Sequence, residues 1–251
     1  MCMRRIYGSV FAAFIFLIGN NVSYGCESSP LNTVENWMYQ LQASDPRAIS
    51  TTNFDMAVVD YSRDGSQEMA FSREDVAQMK IRENGCPRLV LAYMSIGEAE
   101  DYRYYWQSEW SARKPDWMQA ENDEWSGNYV IDFWEAEWKE IIFGSPTSYL
   151  DRIIAAGFDG VYLDRVDVRW ERRGDRASSE EDMINFVRDL SAYAKVLNPE
   201  FLLVPQNAEG LLEVKKYLEV IDRIATEGLF FLPGKSGERL PADEFEYSYN
   251  V

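Results

Sequence analysis

A parallel α/β barrel is the fold this sequence predicts, and three observations carry the prediction. Short apolar runs alternate with longer amphipathic segments along most of the chain, the pattern of strands laid parallel by helical crossovers. Six of those runs end on an acid or an amide, always at the C-terminal end of the run. The length, 251 residues, suits one (β/α)8 barrel, which typically takes about 250.

The chain opens on a leader. Arg4 and Arg5 precede an apolar run at 6–18, too short to span a membrane, and Ser23 and Gly25 supply small residues before a cleavage point. This reads as a signal peptide over 1–25 and predicts a secreted or periplasmic protein with no membrane span after its removal. Cleavage would leave Cys26 first, as in a bacterial lipoprotein. Ser23 stands where lipid attachment favours Leu, so anchoring is the lesser reading. The barrel domain is expected over 26–251.

Segment 34–42 is read as a short helix. The first strand, 56–60, runs through Met56, Ala57, Val58 and Val59 into Asp60. Ser72 opens a helix to Lys80, with Glu74 and Asp75 placed as the helix dipole favours. Asn84 and Gly85 end it, and Pro87 leads into a second strand, 89–97, that runs into Glu98 and Glu100. The following stretch holds Tyr102, Tyr104, Tyr105, Trp106, Trp110, Trp117 and Trp125 without helical or strand period, and is read as a long decorated loop.

The third strand is placed at 128–132, ending on Asp132. Helices follow at 134–142 and 147–156, broken at Gly144-Ser145-Pro146. Gly157 and Gly160 flank the turn into the fourth strand, which ends on Asp164, with Asp167 close behind. Met183, Phe186, Val187, Leu190, Tyr193, Ala194 and Leu197 recur at helical spacing behind a Ser178/Ser179 cap. The fifth strand, 201–206, leads into Gln206, Asn207 and Glu209. After a helix near 211–218, the sixth strand, 223–227, ends on Glu227.

Acids grouped at the ends of buried strands are costly for solubility alone, but natural at the mouth of a barrel. Composition narrows what that mouth can do. The chain has no histidine, which excludes Ser-His-Asp triads, Cys-His dyads and His-ligated zinc, and leaves acid–base work chiefly to its 42 acids and 15 tyrosines. The formal charge of −17 becomes −19 when the leader takes away two arginines and no acid. Nucleic acid and anionic membrane surfaces are therefore poor partners, and cationic ligands better ones. No P-loop, GxGxxG, CxxC or Asp-x-Asp-x-Asp-Gly loop occurs, so no cofactor or metal site is implied. An oxidising compartment would allow a Cys26–Cys86 disulfide, but nothing in the sequence brings the two together.

Six motifs then occur in order: VVDYS (58–62), LAYMSIGEAEDYRYYW (91–106), NYVIDFWEAEW (128–138), GFDGVYLDRVD (157–167), PQNAE (205–209) and ATEGLFF (225–231). Together they resemble the endo-α-1,4-polygalactosaminidases of glycoside hydrolase family 114. The resemblance implies a TIM-barrel glycosidase that cleaves α-linked galactosamine polymers by a retaining double displacement. It places the catalytic Asp at Asp164 and the acid/base at Glu227, with Asp60, Tyr93, Glu98, Asp167 and Asn207 lining the cleft.

The family adds two further β/α units after this point, whereas 20 residues follow Phe231 here. Six units are thus expected, with the last two missing or replaced: a shortened product, an open barrel, or one closed by a second copy. The alternative function is a carbohydrate-binding protein that keeps the cleft and has lost catalysis.

In the chemistry expected, Asp164 stays ionised as nucleophile, and Glu227 is raised by apolar neighbours such as Phe230 and Phe231. Strict strand alternation points Arg165 away from the cleft. Glu209 is the rival proton donor, beside Gln206 and Asn207, both suited to sugar hydroxyls. Tyr104, Tyr105 and Trp106 are read either as sugar-stacking subsites or as core, and Trp134 and Trp138 as packing. The partner expected is a polysaccharide, a cationic amino-sugar polymer.

Overall fold

The computed structural model describes residues 31–227. The leader, Cys26, and the segment from 228 onward with Phe230 and Phe231 lie outside them. The strands are β1 (Trp37–Gln40), β2 (Met56–Val59), β3 (Leu89–Ser95), β4 (Glu98–Glu100), β5 (Met118–Glu121), β6 (Asn128–Ile131), β7 (Gly160–Asp164) and β8 (Leu202–Pro205). The helices are α1 (Pro46–Ser50), α2 (Arg73–Met79), α3 (Ala136–Ile142), α4 (Tyr149–Ala156), α5 (Val168–Arg172), α6 (Ser179–Leu197) and α7 (Lys215–Leu218).

Five strands form one parallel sheet in the order β1-β2-β3-β7-β8. Its strands are apolar on both faces, as a sheet covered on both sides requires. Met56, Val58, Leu91, Tyr93, Tyr162 and Val204 gather on the inner face. The alternate residues Ala57, Val59, Val90, Ala92, Val161 and Leu203 turn outward to Val76, Met79, Ile153 and Leu190 of the helices. Gly160 is required where β7 meets β8: a Cβ there would stand 2.4 Å from the Leu202 carbonyl oxygen. The alternation of strands, outer helices and a filled inner face is that of a TIM-barrel-like fold.

Two helix starts follow the sequence. Ser72 and Asp75 form a reciprocal capping box at α2, at 3.1 and 3.0 Å. Along α6, Met183, Phe186, Val187, Leu190 and Ala194 are buried at the expected spacing, although Ser178 donates to Asp182 at 2.8 Å and caps no backbone N–H.

Four expectations are corrected. Segment 34–42 is not a helix: its centre is β1, an edge strand parallel to β2, in which Trp37 and Tyr39 flank Tyr162 on the inner face. A lone apolar segment of this length carries both periods, and the ladder offered by β2 decides between them. The strand at 128–132 is β6, but it lies outside the parallel sheet, antiparallel between β4 and β5. β3 consequently pairs directly with β7.

The aromatic stretch is more than a loop, since it contains a 3-10 turn (Ser108–Ser111) and β5. Segment 223–227 contributes one parallel bridge, Gln206 to Ala225, closed by Ala225 N–H to Pro205 O at 2.8 Å and Asn207 N–H to Ala225 O at 3.0 Å.

Among the described residues no helix is long and apolar enough to cross a membrane. Cys86 is disulfide-bonded, and the chain's two other cysteines lie outside the described residues.

Candidate active site

Parallel strands deliver their C-terminal ends to one side, and here that side holds a cavity of about 1060 Å³. Asp60 follows β2, Tyr93 lies on β3, Glu98 follows its turn, and Asp164 ends β7. Asp167, Gln206, Asn207 and Glu227 are further expected residues on the cavity wall. Tyr39, Glu100, Arg103, Arg165 and the turn at 121–126 line it too.

Asp164 is held at both of its carboxylate oxygens. Its Oδ2 accepts the Tyr93 hydroxyl at 2.6 Å, and its Oδ1 accepts the Arg165 backbone N–H at 2.7 Å. The second bond needs an unusual backbone: Arg165 has φ 61°, in the left-handed region that non-glycine residues enter at a cost. That turn also breaks the alternation that would send the Arg165 side chain outward. It instead lines the cavity, 2.8 Å from Glu98, 2.7 Å from Glu171 and 3.7 Å from Asp167.

Gly97 permits the close approach, because a Cβ there would lie 2.3 Å from the Arg165 carbonyl oxygen. Burial pushes the Asp164 carboxyl up. The Tyr93 hydroxyl, the Arg165 N–H and the guanidinium charge pull it back toward the ionised form.

Glu227 is exposed to the cavity and fixed through its backbone, whose N–H donates to Asn207 Oδ1 at 2.8 Å. Asn207 itself has φ 54°, a conformation Asn tolerates better than most residues. Loss of water and the nearby charge of Asp164 push the Glu227 carboxyl up, with the Asn207 amide opposing. Both carboxyls are thus raised by burial, but the Asp164 anion is held by two donors, whereas Glu227 also faces the charge of Asp164. Asp167 is raised to about 6, chiefly by burial, with Asp164 and Glu171 adding and Arg165 opposing.

Asp60 and Glu98 line the cavity, yet both are committed to the protein. Arg103 donates to both oxygens of Asp60 at 2.7 Å and to Glu100 Oε2 at 2.6 Å, while Ser62 N–H reaches Asp60 at 3.0 Å. Burial pushes Asp60 up and Arg103 pulls it back. The guanidinium carbon of Arg103 also lies 5.8 Å from the Tyr93 ring centre, which ties this network to the hydroxyl that holds Asp164. Glu98, 1% exposed, receives Asn122 at 2.8 Å and Asn128 at 3.2 Å besides Arg165.

Four expected residues stand elsewhere. Glu209 begins a 3-10 turn (Glu209–Glu213) and accepts the Thr226 hydroxyl at 2.5 Å, off the wall of the main cavity. Tyr104 and Tyr105 border a separate cavity of about 660 Å³. Trp106 packs 5.4 Å from Trp110 and 5.1 Å from Tyr129 between ring centres. These three aromatics therefore stand off the wall of the main cavity, away from Asp164 and Glu227. Trp138 is core, fully buried, with its indole N–H on Ile96 O at 3.0 Å.

Sequence reasoning missed Tyr39, Arg103 and Trp125 as wall residues. Tyr39 was hidden by the helix expectation for its segment. Arg103 carried a signal, being a lone cation amid Glu98, Glu100 and Asp101.

Residues 24–235 match the family described as Glycoside-hydrolase family GH114. The chain belongs to that family. Two curated relatives are uncharacterized proteins. One, from Thermotoga maritima, is 40% identical over 84% of this chain and 64% of its own length. The other, from Methanocaldococcus jannaschii, is 42% identical over 78% of this chain and 56% of its own length. The chain thus spans less than two thirds of the length of these relatives.

Two solved structures share the fold at low identity. Aspergillus fumigatus Ega3 in complex with galactosamine aligns with TM-score 0.55 and 19% identity, over 76% of this chain and 66% of that one. The glycoside hydrolase domain of PelA from Pseudomonas aeruginosa aligns with TM-score 0.60 and 18% identity, over 86% of this chain and 78% of that one.

Proposed function

We propose that this protein is an exported retaining glycosidase that cleaves α-linked galactosamine-type polysaccharide, with Asp164 as nucleophile and Glu227 as acid/base. The observation that carries the reading is a pair of carboxyls on one cavity wall with unequal hydrogen bonding: the Asp164 carboxylate accepts the Tyr93 hydroxyl and the Arg165 N–H, whereas Glu227 stands exposed to the cavity. A retaining reaction needs that asymmetry, with carboxyls about 5–5.5 Å apart.

Asp164 attacks the anomeric carbon while Glu227 gives its proton to the leaving glycosidic oxygen. A covalent glycosyl–Asp164 ester forms as the glycosidic bond breaks. Glu227, now ionised, takes a proton from water, which attacks the same carbon and releases the sugar and the Asp164 carboxylate. Tyr93 and the Arg165 N–H orient the nucleophile, and Tyr39 and Gln206 line the space available to the sugar.

A cationic polymer suits a cavity walled by so many carboxylates in a chain of formal charge −17. Galactosamine is the ligand named for the Ega3 structure, which supports the sugar class. The apolar segment behind Arg4 and Arg5 and the disulfide at Cys86 support export.

Release of reducing ends from an α-1,4-galactosamine polymer, abolished by Asp164→Asn, is the expected result. No release from the folded protein, or equal release by the variant, would reject the assignment.

A further inference from the structure

We propose that the turn of the β5–β6 hairpin, with Trp125 as its platform, is a further subsite of the same cavity, selective for an amino sugar carrying a free ammonium group. The proposal rests on the function argued above and extends it to substrate selection away from the reacting bond.

Trp125 is 66% exposed, whereas Trp110 and Trp117 of the same segment are 7% and 4% exposed. Those two pack on each other at 5.3 Å between ring centres, while the Trp125 indole stacks on no other ring among the described residues. It nevertheless lines the cavity that holds Asp164 and Glu227. A bare indole on a cavity wall leaves a large apolar face in water, which a sugar's C–H face can cover by stacking. The negative face of the ring also attracts a cation set against it. Asp123 and Glu124, both exposed, precede Trp125 directly on the same wall. A neutral N-acetyl group would gain neither the cation–π attraction nor the carboxylates, so the subsite discriminates by charge.

The platform is also held in place. Glu121 Oε1 accepts Gly127 N–H at 2.7 Å and Ser126 Oγ at 3.0 Å, and these bonds hold the Glu121 carboxyl below its usual range. Asn122 and Asn128, at either end of the turn, both donate to Glu98, which Arg165 also pairs. Arg165 is the residue whose N–H holds Asp164. The turn and the nucleophile are therefore anchored to one buried carboxylate, and little ordering is left for binding to supply.

The test is calorimetric binding of a long α-1,4-galactosamine oligosaccharide, and of its fully N-acetylated counterpart, to the full chain carrying Asp164→Asn. Adding Trp125→Ala should weaken binding of the free-amine oligosaccharide about tenfold, the scale of one aromatic and cation–π contact. Trp125→Phe should keep most of the affinity, and the N-acetylated ligand should lose less. Equal affinity with and without the indole, or equal loss for both ligands, would overturn the subsite while hydrolysis by the unsubstituted protein still upheld the enzyme reading. Neither binding nor cleavage by the unsubstituted protein would overturn both.

Discussion

The hydroxyl of Tyr93 and the carboxylate of Asp164 lie 2.6 Å apart across two neighbouring strands. In the register, Tyr93 faces Tyr162 and Ser95 faces Asp164, so the phenol reaches one inward position further along the sheet to meet the acid. Only a side chain as long as tyrosine spans that step. Tyr93→Phe should leave the fold intact and lower kcat roughly ten- to a hundredfold, the loss of one hydrogen bond to a charged group. With a donor to its anion gone, Asp164 should titrate higher, and the acidic limb of the pH–rate profile should move up. An unmoved limb with unchanged kcat would disconnect the tyrosine from the nucleophile.

Glu227 must be protonated for the first step and Asp164 ionised. Activity should therefore fall as pH rises through the raised value of Glu227, and fall again as pH drops through that of Asp164. Glu227→Gln should lose activity on polymer and keep it on an aryl glycoside whose leaving group needs no proton. Glu209→Gln should behave nearly as the unsubstituted protein, since Glu209 is held by Thr226 off the cavity wall. The reverse pattern would transfer the acid/base role to Glu209.

Arg103 is 3% exposed and is the cation between Asp60 and Glu100. Arg103→Met would leave two buried carboxylates without their partner and should cost about 3–5 kcal/mol, read from urea unfolding. Arg103→Lys should recover only part of this, because an ammonium cannot present the fork that reaches both acids. A loss below about 1 kcal/mol would mean that water replaces the guanidinium.

Asp167 titrates higher in the folded protein than in the unfolded chain. Between its usual value and about 6 the folded state binds more protons, so its contribution to stability falls as pH rises across that window. Asp167→Asn should gain in thermal stability relative to the parent as pH goes from about 4 to 7, by roughly 1–2 kcal/mol once partial exposure is allowed for. A difference that is flat with pH would refute the shift.

Much of the inner site was legible because strand ends announce themselves. An apolar run that stops on an acid, as at Val59–Asp60 or Leu163–Asp164, names both a strand and the group at its mouth. The eight expected residues that line the cavity were found by this rule or by the family motifs. It failed where a run belonged to another sheet. Asn128–Ile131 reads as one more apolar strand ending on an acid, but β6 pairs antiparallel with β4 and β5 and so carries Asp132 away from the parallel strand ends. Direction and partner are properties of the ladder, not of the segment.

By itself the sequence determined the residue inventory: chemistry without histidine, an acidic mouth, strands feeding Asp60, Asp164 and Gln206, and the long amphipathic helix α6. Tertiary structure alone decided how those acids are used. Asp60 and Glu98 are spent on Arg103, Arg165 and two asparagines, whereas Asp164 and Glu227 remain turned to the cavity. It also decided that Tyr39 comes in on a strand, and that Arg165 turns back at a positive φ to hold the neighbouring carboxylate. The physical reason is range. Periodicity and capping act within a few residues and are written in local composition. The partners that hold a buried acid come from residues up to 71 positions away, as with Tyr93 and Asp164, and meet only when the strands pair.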